Sequence, residues 1–62
     1  MKYNELIRLL KDDGWFELRQ SGSHLVMRHS SKSNQIVVPS HGSKEIGRGL
    51  QKKILKQAGI KQ

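Results

Sequence analysis

Three histidines, His24, His29 and His41, are the only side chains of this 62-residue chain whose ordinary pKa lies near neutrality, and they stand in a sequence without cysteine. The lack of cysteine removes thiol nucleophiles, thiolate zinc sites and disulfides together. No glycine-rich phosphate loop of the P-loop or dinucleotide type is present. Asp12 and Asp13 are adjacent at a helix end and diverge by about 100° around its axis, which does not suit joint chelation. The histidines lack the i, i+4 spacing of a zinc protease, so neither a metal nor another cofactor is expected. Imidazole with cations suits one reaction, cleavage of RNA by its own 2′-hydroxyl. A base takes the 2′-proton, the oxygen attacks the adjacent phosphorus, an acid protonates the departing 5′-oxygen, and lysine or arginine stabilises the added charge.

His24 is the best placed of the three, because Gly22 permits a tight turn that projects the following side chains at a hairpin edge. The plainer reading is an ordinary polar strand residue. His29 falls on the opposite face of the same strand, toward Leu25 and Met27, at the sheet's margin. His41 follows Pro39 in a loop and is expected to be a turn residue, with contact to phosphate as the alternative. Twelve Lys and Arg against five Asp and Glu give a formal charge of +7. Such a field attracts polyanions, of which nucleic acid is the commonest inside cells; membrane surfaces and acidic proteins are alternatives. Lys44, Arg48, Lys52, Lys53 and Lys56 concentrate five cations within thirteen residues, opposed only by Glu45, and are candidate phosphate contacts as well as a plain solvated face.

The elements that must position these residues follow from hydrophobic period and punctuation. Tyr3, Leu6, Ile7 and Leu10 make a helical stripe over roughly residues 4 to 12, with Asn4 as N-cap and Gly14 as a left-handed terminator. Residues 15 to 20 alternate, placing Phe16 and Leu18 on one face, and core packing is expected for Phe16. Ser21-Gly22-Ser23 forms a turn. Residues 24 to 29 oppose Leu25 and Met27 to His24, Val26 and Arg28. After a polar loop, residues 30 to 34, Gln35 to Val38 form a third strand that Pro39 stops. An irregular surface crossing leads to a second helix with Leu50, Ile54, Leu55 and Ala58 as its apolar face. Gly59 ends that helix in a Schellman turn that folds Ile60 back on Leu55. The expected fold is α+β, in the order α-β-β-β-α, with two helices on one face of a three-stranded antiparallel sheet and the other face open to water. One domain spans residues 1–62. No apolar run approaches the length of a membrane span and the first residues start no signal peptide, so an intracellular, cytoplasmic protein is expected.

Five segments in order carry a resemblance. Gly14-Trp15, Arg19-Gln20-Ser21-Gly22-Ser23-His24, Val38-Pro39-Ser40-His41-Gly42, Lys44-Glu45-Ile46 and Ile54-Leu55-Lys56-Gln57-Ala58-Gly59-Ile60 resemble the HicA family of bacterial toxins. The resemblance implies an mRNA interferase: a metal-independent endoribonuclease with a double-stranded-RNA-binding-like fold, neutralised by a cognate HicB antitoxin. It also implies that His24 is the catalytic histidine of a G-S-H motif whose turn is Gly22 and Ser23. Lys52, Lys53 and Lys56 look like the phosphate-contacting lysines of the double-stranded-RNA-binding module. The chain departs from the family at Gly49-Leu50-Gln51, where many members carry Thr or Ser and then leucine.

Two readings from other classes stand beside this one. A non-catalytic RNA-binding module with the same fold would hold RNA without turnover, and an interaction-only domain would have negligible RNA affinity even at low salt.

Overall fold

The computed structural model of the chain describes residues 1–60. Helix α1 spans Tyr3–Asp12, strands β1, β2 and β3 span Trp15–Ser21, His24–His29 and Lys32–Pro39, and helix α2 spans Arg48–Gln57. The strands form one antiparallel sheet in the order β1-β2-β3. Leu25 and Met27 of β2, with Ile36 and Val38 of β3, join Leu6 and Leu10 of α1 and Ile54, Leu55 and Ala58 of α2 in a single buried cluster. Both helices therefore cover the same face of the sheet, and the other face is open. This is the expected α-β-β-β-α arrangement.

Helix α1 begins a residue before the expected start, and Asn4 is not its cap. Its N-cap is Lys2, whose ammonium has no lone pair to offer. The loop before α2 does that work instead. The Tyr3 and Asn4 N–H groups donate to the carbonyls of Lys44 and Gly42, each at 3.0 Å. The Glu5 carboxylate accepts from the Lys2 N–H at 2.9 Å, and acidic charge in the first turn suits the helix dipole. Ile46 closes the contact: its N–H donates to the Met1 carbonyl and its side chain is buried.

At the other end of α1, Gly14 takes φ +107°, as its place after the helix predicts. A Cβ at Gly14 would lie 2.6 Å from Nε2 of His29, so the residue is needed for space as well as for its backbone angle. The turn sends Trp15, not Phe16, into the core. Trp15 is 2% exposed, whereas Phe16 and Leu18 are 47% and 51% exposed. The expectation that Phe16 packs inward is thus overturned by register: Trp15 pairs with His29 and Glu17 with Met27, which places the odd residues of early β1 on the helix side. A β-bulge between Glu17 and Arg19 then leaves Leu18 unpaired and moves Arg19 opposite Val26 on the open face.

Strand β3 is longer than expected and begins at Lys32. Its polar start is held by side chains. Lys32 Nζ donates to the Asp13 carboxylate at 2.9 Å and to the Ala58 carbonyl at 2.6 Å, and lies 5.6 Å from the Trp15 ring centre. Asn34 Nδ2 donates to the Gln57 carbonyl at 2.8 Å. These bonds tie the ends of both helices to β3. At the end of α2, Gly59 has φ +74°, its N–H donates to Lys56 and the Ile60 N–H donates to Leu55 at 2.9 Å, completing the expected Schellman motif.

The Lys32 hydrogen bond, reinforced by its charge, holds the Asp13 carboxyl below its ordinary 3.8. A depressed folded-state pKa stabilises the fold above the unfolded value and is lost as pH falls through the folded one. Asp13→Asn is therefore expected to lower the melting temperature at neutral pH, and the difference from wild type should vanish on acidification below 3.8. Thermal melts of both proteins across that range check this. A gap that persists or grows in acid would exclude this ionic role.

Candidate active site

The hairpin tip that carries His24 is built from the turn outward. Ser21 and His24 pair across it, leaving Gly22 and Ser23 as a two-residue loop. Gly22 has φ +59°, and among the described residues no residue other than glycine has positive φ. Glycine at the first loop position is the type II′ pattern, whose twist matches antiparallel strands. Gln20 Nε2 donates to the Gly22 carbonyl at 3.0 Å, and the Ser40 N–H donates to the Ser23 carbonyl at 2.6 Å. Both sides of the tip are thereby pinned, and the loop after Pro39 runs beside it.

His24 opens β2 opposite Pro39 of β3, and its side chain is exposed. Leu25 and Met27 face the helices, so His24, Val26 and Arg28 face away from them. The imidazole projects from the open side of the sheet, and among the described residues it has no hydrogen-bond or ion-pair partner.

The other two histidines are differently placed. The Ser31 N–H donates to Nδ1 of His29 at 3.0 Å, so the ring proton sits on Nε2 and is donated to the Asp13 carbonyl at 2.7 Å. The ring meets Trp15 edge-on at 5.4 Å and its side chain is 10% exposed. His29 is a strut between β2 and the turn after α1, on the helix side of the sheet. His41 is exposed and packs edge-on against Tyr3, with ring centres 5.0 Å apart. Among the described residues no three histidine or carboxylate groups converge as metal ligands.

The five cations singled out from sequence lie on α2 and the loop before it, and all are exposed. Arg48, Lys52 and Lys56 recur every four residues and form one stripe along α2. Lys53 turns about 100° away from Lys52. It lines an open groove with Gln35, Ile36, Val37, Leu50, Ile54 and Gln57. Leu50 is 37% exposed on this groove rather than packed in the core. The helix begins at Arg48 with Gly47 as a cap that offers no side-chain acceptor, so the Gly49-Leu50 departure shifts neither Lys52 nor Lys53 out of the helix. Because α2 covers the inner face, this stripe and His24 are on opposite sides of the sheet.

Two other cations share the face of His24. Arg28 is on its strand, four residues on and about 13 Å away along β2; Arg19 sits beside Val26 on β1. Arg28 was legible from strict alternation on β2, whereas Arg19 reaches this face only through the bulge at Leu18. Glu17 is the one carboxylate of the three strands, and Lys11 of α1 holds it in an ion pair. Among the described residues the open face thus carries an imidazole and two guanidiniums without an opposing acid. No helix of the described residues is long and apolar enough to cross a membrane.

Comparison with known proteins finds relatives over nearly the whole chain. The family model described as the HicA toxin of bacterial toxin-antitoxin matches residues 3–60. The chain is 46% identical over 61 residues to "Probable mRNA interferase HicA" of Pseudomonas fluorescens (strain Pf0-1), covering 98% of each chain. It is 44% identical over 61 residues to "Probable mRNA interferase HicA 2" of Photorhabdus laumondii subsp. laumondii, covering 98% of this chain and 100% of that one. A match that runs from the first helix to the Schellman turn, with relatives of nearly the same length, places the chain in the HicA family of bacterial toxins.

Proposed function

We propose that the chain is the toxin of a toxin-antitoxin pair and acts in the cytoplasm as an endoribonuclease on mRNA, with His24 as its catalytic base. The observation that carries this reading is the exposed His24 imidazole, unpartnered among the described residues, on a sheet face where those residues place Arg19 and Arg28 and no carboxylate. His24 takes the 2′-proton as that oxygen bonds to phosphorus, and the 5′-oxygen leaves with a proton drawn from water. Arg19, opposite Val26 two residues from His24, is the guanidinium placed to stabilise the charge gathered on the phosphoryl oxygens, while Arg28, about 13 Å along β2, meets a neighbouring phosphate. The products are a 2′,3′-cyclic phosphate and a 5′-hydroxyl. DNA lacks the attacking group and is spared.

The cations of α2 support binding at longer range. Lys53 borders the groove that Val37 shares with the open face, and Lys44, Arg48, Lys52 and Lys56 extend the positive field around the helix. A HicB-type antitoxin neutralises the toxin by covering His24. A protein partner of this kind matches a basic face best with acidic and apolar groups.

The reaction as written needs no metal ion. Pure protein incubated with a defined RNA in EDTA is expected to cleave it and leave cyclic phosphate ends, read by mass spectrometry of the fragments. RNA left intact while the protein still binds it would favour a binding module without turnover. Cleavage abolished by EDTA and restored by a divalent ion would refute the metal-free route.

A further inference from the structure

The open sheet face holds more apolar surface than a solvated face requires. Phe16, Leu18 and Val37 are 47%, 51% and 46% exposed, each on a strand with a cation or a polar residue beside it. Val26 is only 6% exposed, yet it lies outside the helix-side cluster. Its cross-strand neighbours Arg19 and Val37 shield it, so the centre of the face is a shallow apolar floor with cations at its sides. Phe16 pairs with Arg28 at one end of this floor, and His24 stands at the other end of β2. The ring and the imidazole face the same way, separated by four residue positions along β2, about 13 Å.

An exposed aromatic ring beside arginine, on a face without carboxylates, is the pairing that holds single-stranded nucleic acid: bases stack on the ring while guanidiniums meet the phosphates. Duplex RNA offers no such contact, because its bases are stacked on one another and its phosphates lie on an outer curve. We infer that the open sheet face binds single-stranded RNA, with one base stacked on Phe16, its phosphates on Arg28 and Arg19, and the cleaved linkage at His24. The inference rests on the proposed nuclease activity and assigns its substrate form. Phe16 acts as a specificity residue: by gripping a base at a fixed separation from His24 it sets which linkage is presented. Charge complementarity is what favours RNA over a protein occupant, since among the described residues every ionisable group on this face is basic.

The test uses His24→Ala as a binding-only background, with labelled single-stranded RNA and a duplex of the same sequence titrated by fluorescence anisotropy. The single strand is expected to bind tighter than the duplex. Adding Phe16→Ala should weaken single-strand binding by about tenfold, within the range for loss of one stacked base. Phe16→Trp should preserve it and Phe16→Leu should not, which separates stacking from apolar bulk. In the active protein, Phe16→Ala should raise KM more than it lowers kcat. Phe16 is half exposed, so its variants are expected to fold, and a far-UV circular dichroism melt of each one checks this. Equal affinity for duplex and single strand, or unchanged single-strand binding by Phe16→Ala, would overturn the inference. So would a Phe16→Ala protein that loses only its antitoxin and keeps RNA binding, which would make the face a protein-docking surface. Absence of cleavage by the wild type counts against the nuclease reading, whereas wild-type cleavage with indifference to Phe16 counts against this inference alone.

Discussion

Replacement of His24 by alanine is expected to reduce RNA cleavage by about 10²- to 10⁴-fold, the usual contribution of a positioned general base. Salt-dependent RNA binding should stay near the wild-type level, because the phosphate contacts come from arginines and lysines elsewhere on the surface. The fold should survive. The His24 side chain is exposed and has no protein partner among the described residues, and the turn that places it is held by the backbone of Gly22, Ser23 and Ser40. Surface truncations of this kind shift stability by no more than about 0.5 kcal/mol. Single-turnover cleavage, anisotropy and a thermal melt on one preparation measure all three. A cleavage rate within a few-fold of wild type would remove His24 from the reaction, and loss of the melt would make its role structural.

Trp15→Ala is expected to abolish folding. The side chain is 2% exposed, with His29 edge-on at 5.4 Å and Lys32 Nζ over its ring at 5.6 Å. Truncating a buried aromatic to alanine costs about 3–5 kcal/mol. A core in a domain of this size supplies only about 3–5 kcal/mol in total. Far-UV circular dichroism should therefore show no cooperative melt. Phe16→Ala, one residue away, should melt close to wild type, since Phe16 faces solvent. This adjacent contrast tests the register of β1 directly: with Phe16 inside and Trp15 outside, the two results would exchange.

Register was the part of β1 that alternation could not reveal. Phe16 and Leu18 satisfy a period of two, but the chain satisfies it with Trp15 and Glu17 on the helix side and then breaks it at Leu18. Burial of the larger ring and the close fit of His29 over Gly14 decide the matter, and both depend on a strand distant in sequence. On β2 no bulge interrupts residues 24 to 28, and Leu25 and Met27 face the core as their spacing predicts, leaving His24 and Arg28 together on the other side. The start of β3 carried no apolar signal at all. Lys32 and Asn34 belong to the strand because their side chains reach Asp13, Ala58 and Gln57, partners that only the folded chain brings near. The α1 cap was hidden for the same reason, being supplied by the carbonyls of Gly42 and Lys44. The candidate site was therefore legible in its histidine and its turn. Its cations were only half legible, since a count of lysines points to α2 while Arg19 arrives on the face of His24 through a bulge.

In the proposed reaction the RNA is its own nucleophile, and the protein supplies proton transfer and charge. The most direct test is a substrate in which only the nucleotide at the cleaved linkage carries 2′-hydrogen in place of 2′-hydroxyl, incubated with the wild-type protein. That linkage should resist cleavage while the strand binds as before and accessible ribose linkages elsewhere remain susceptible. Scission at the deoxy position at the ordinary rate would contradict the account, because the attacking oxygen would then have to come from water.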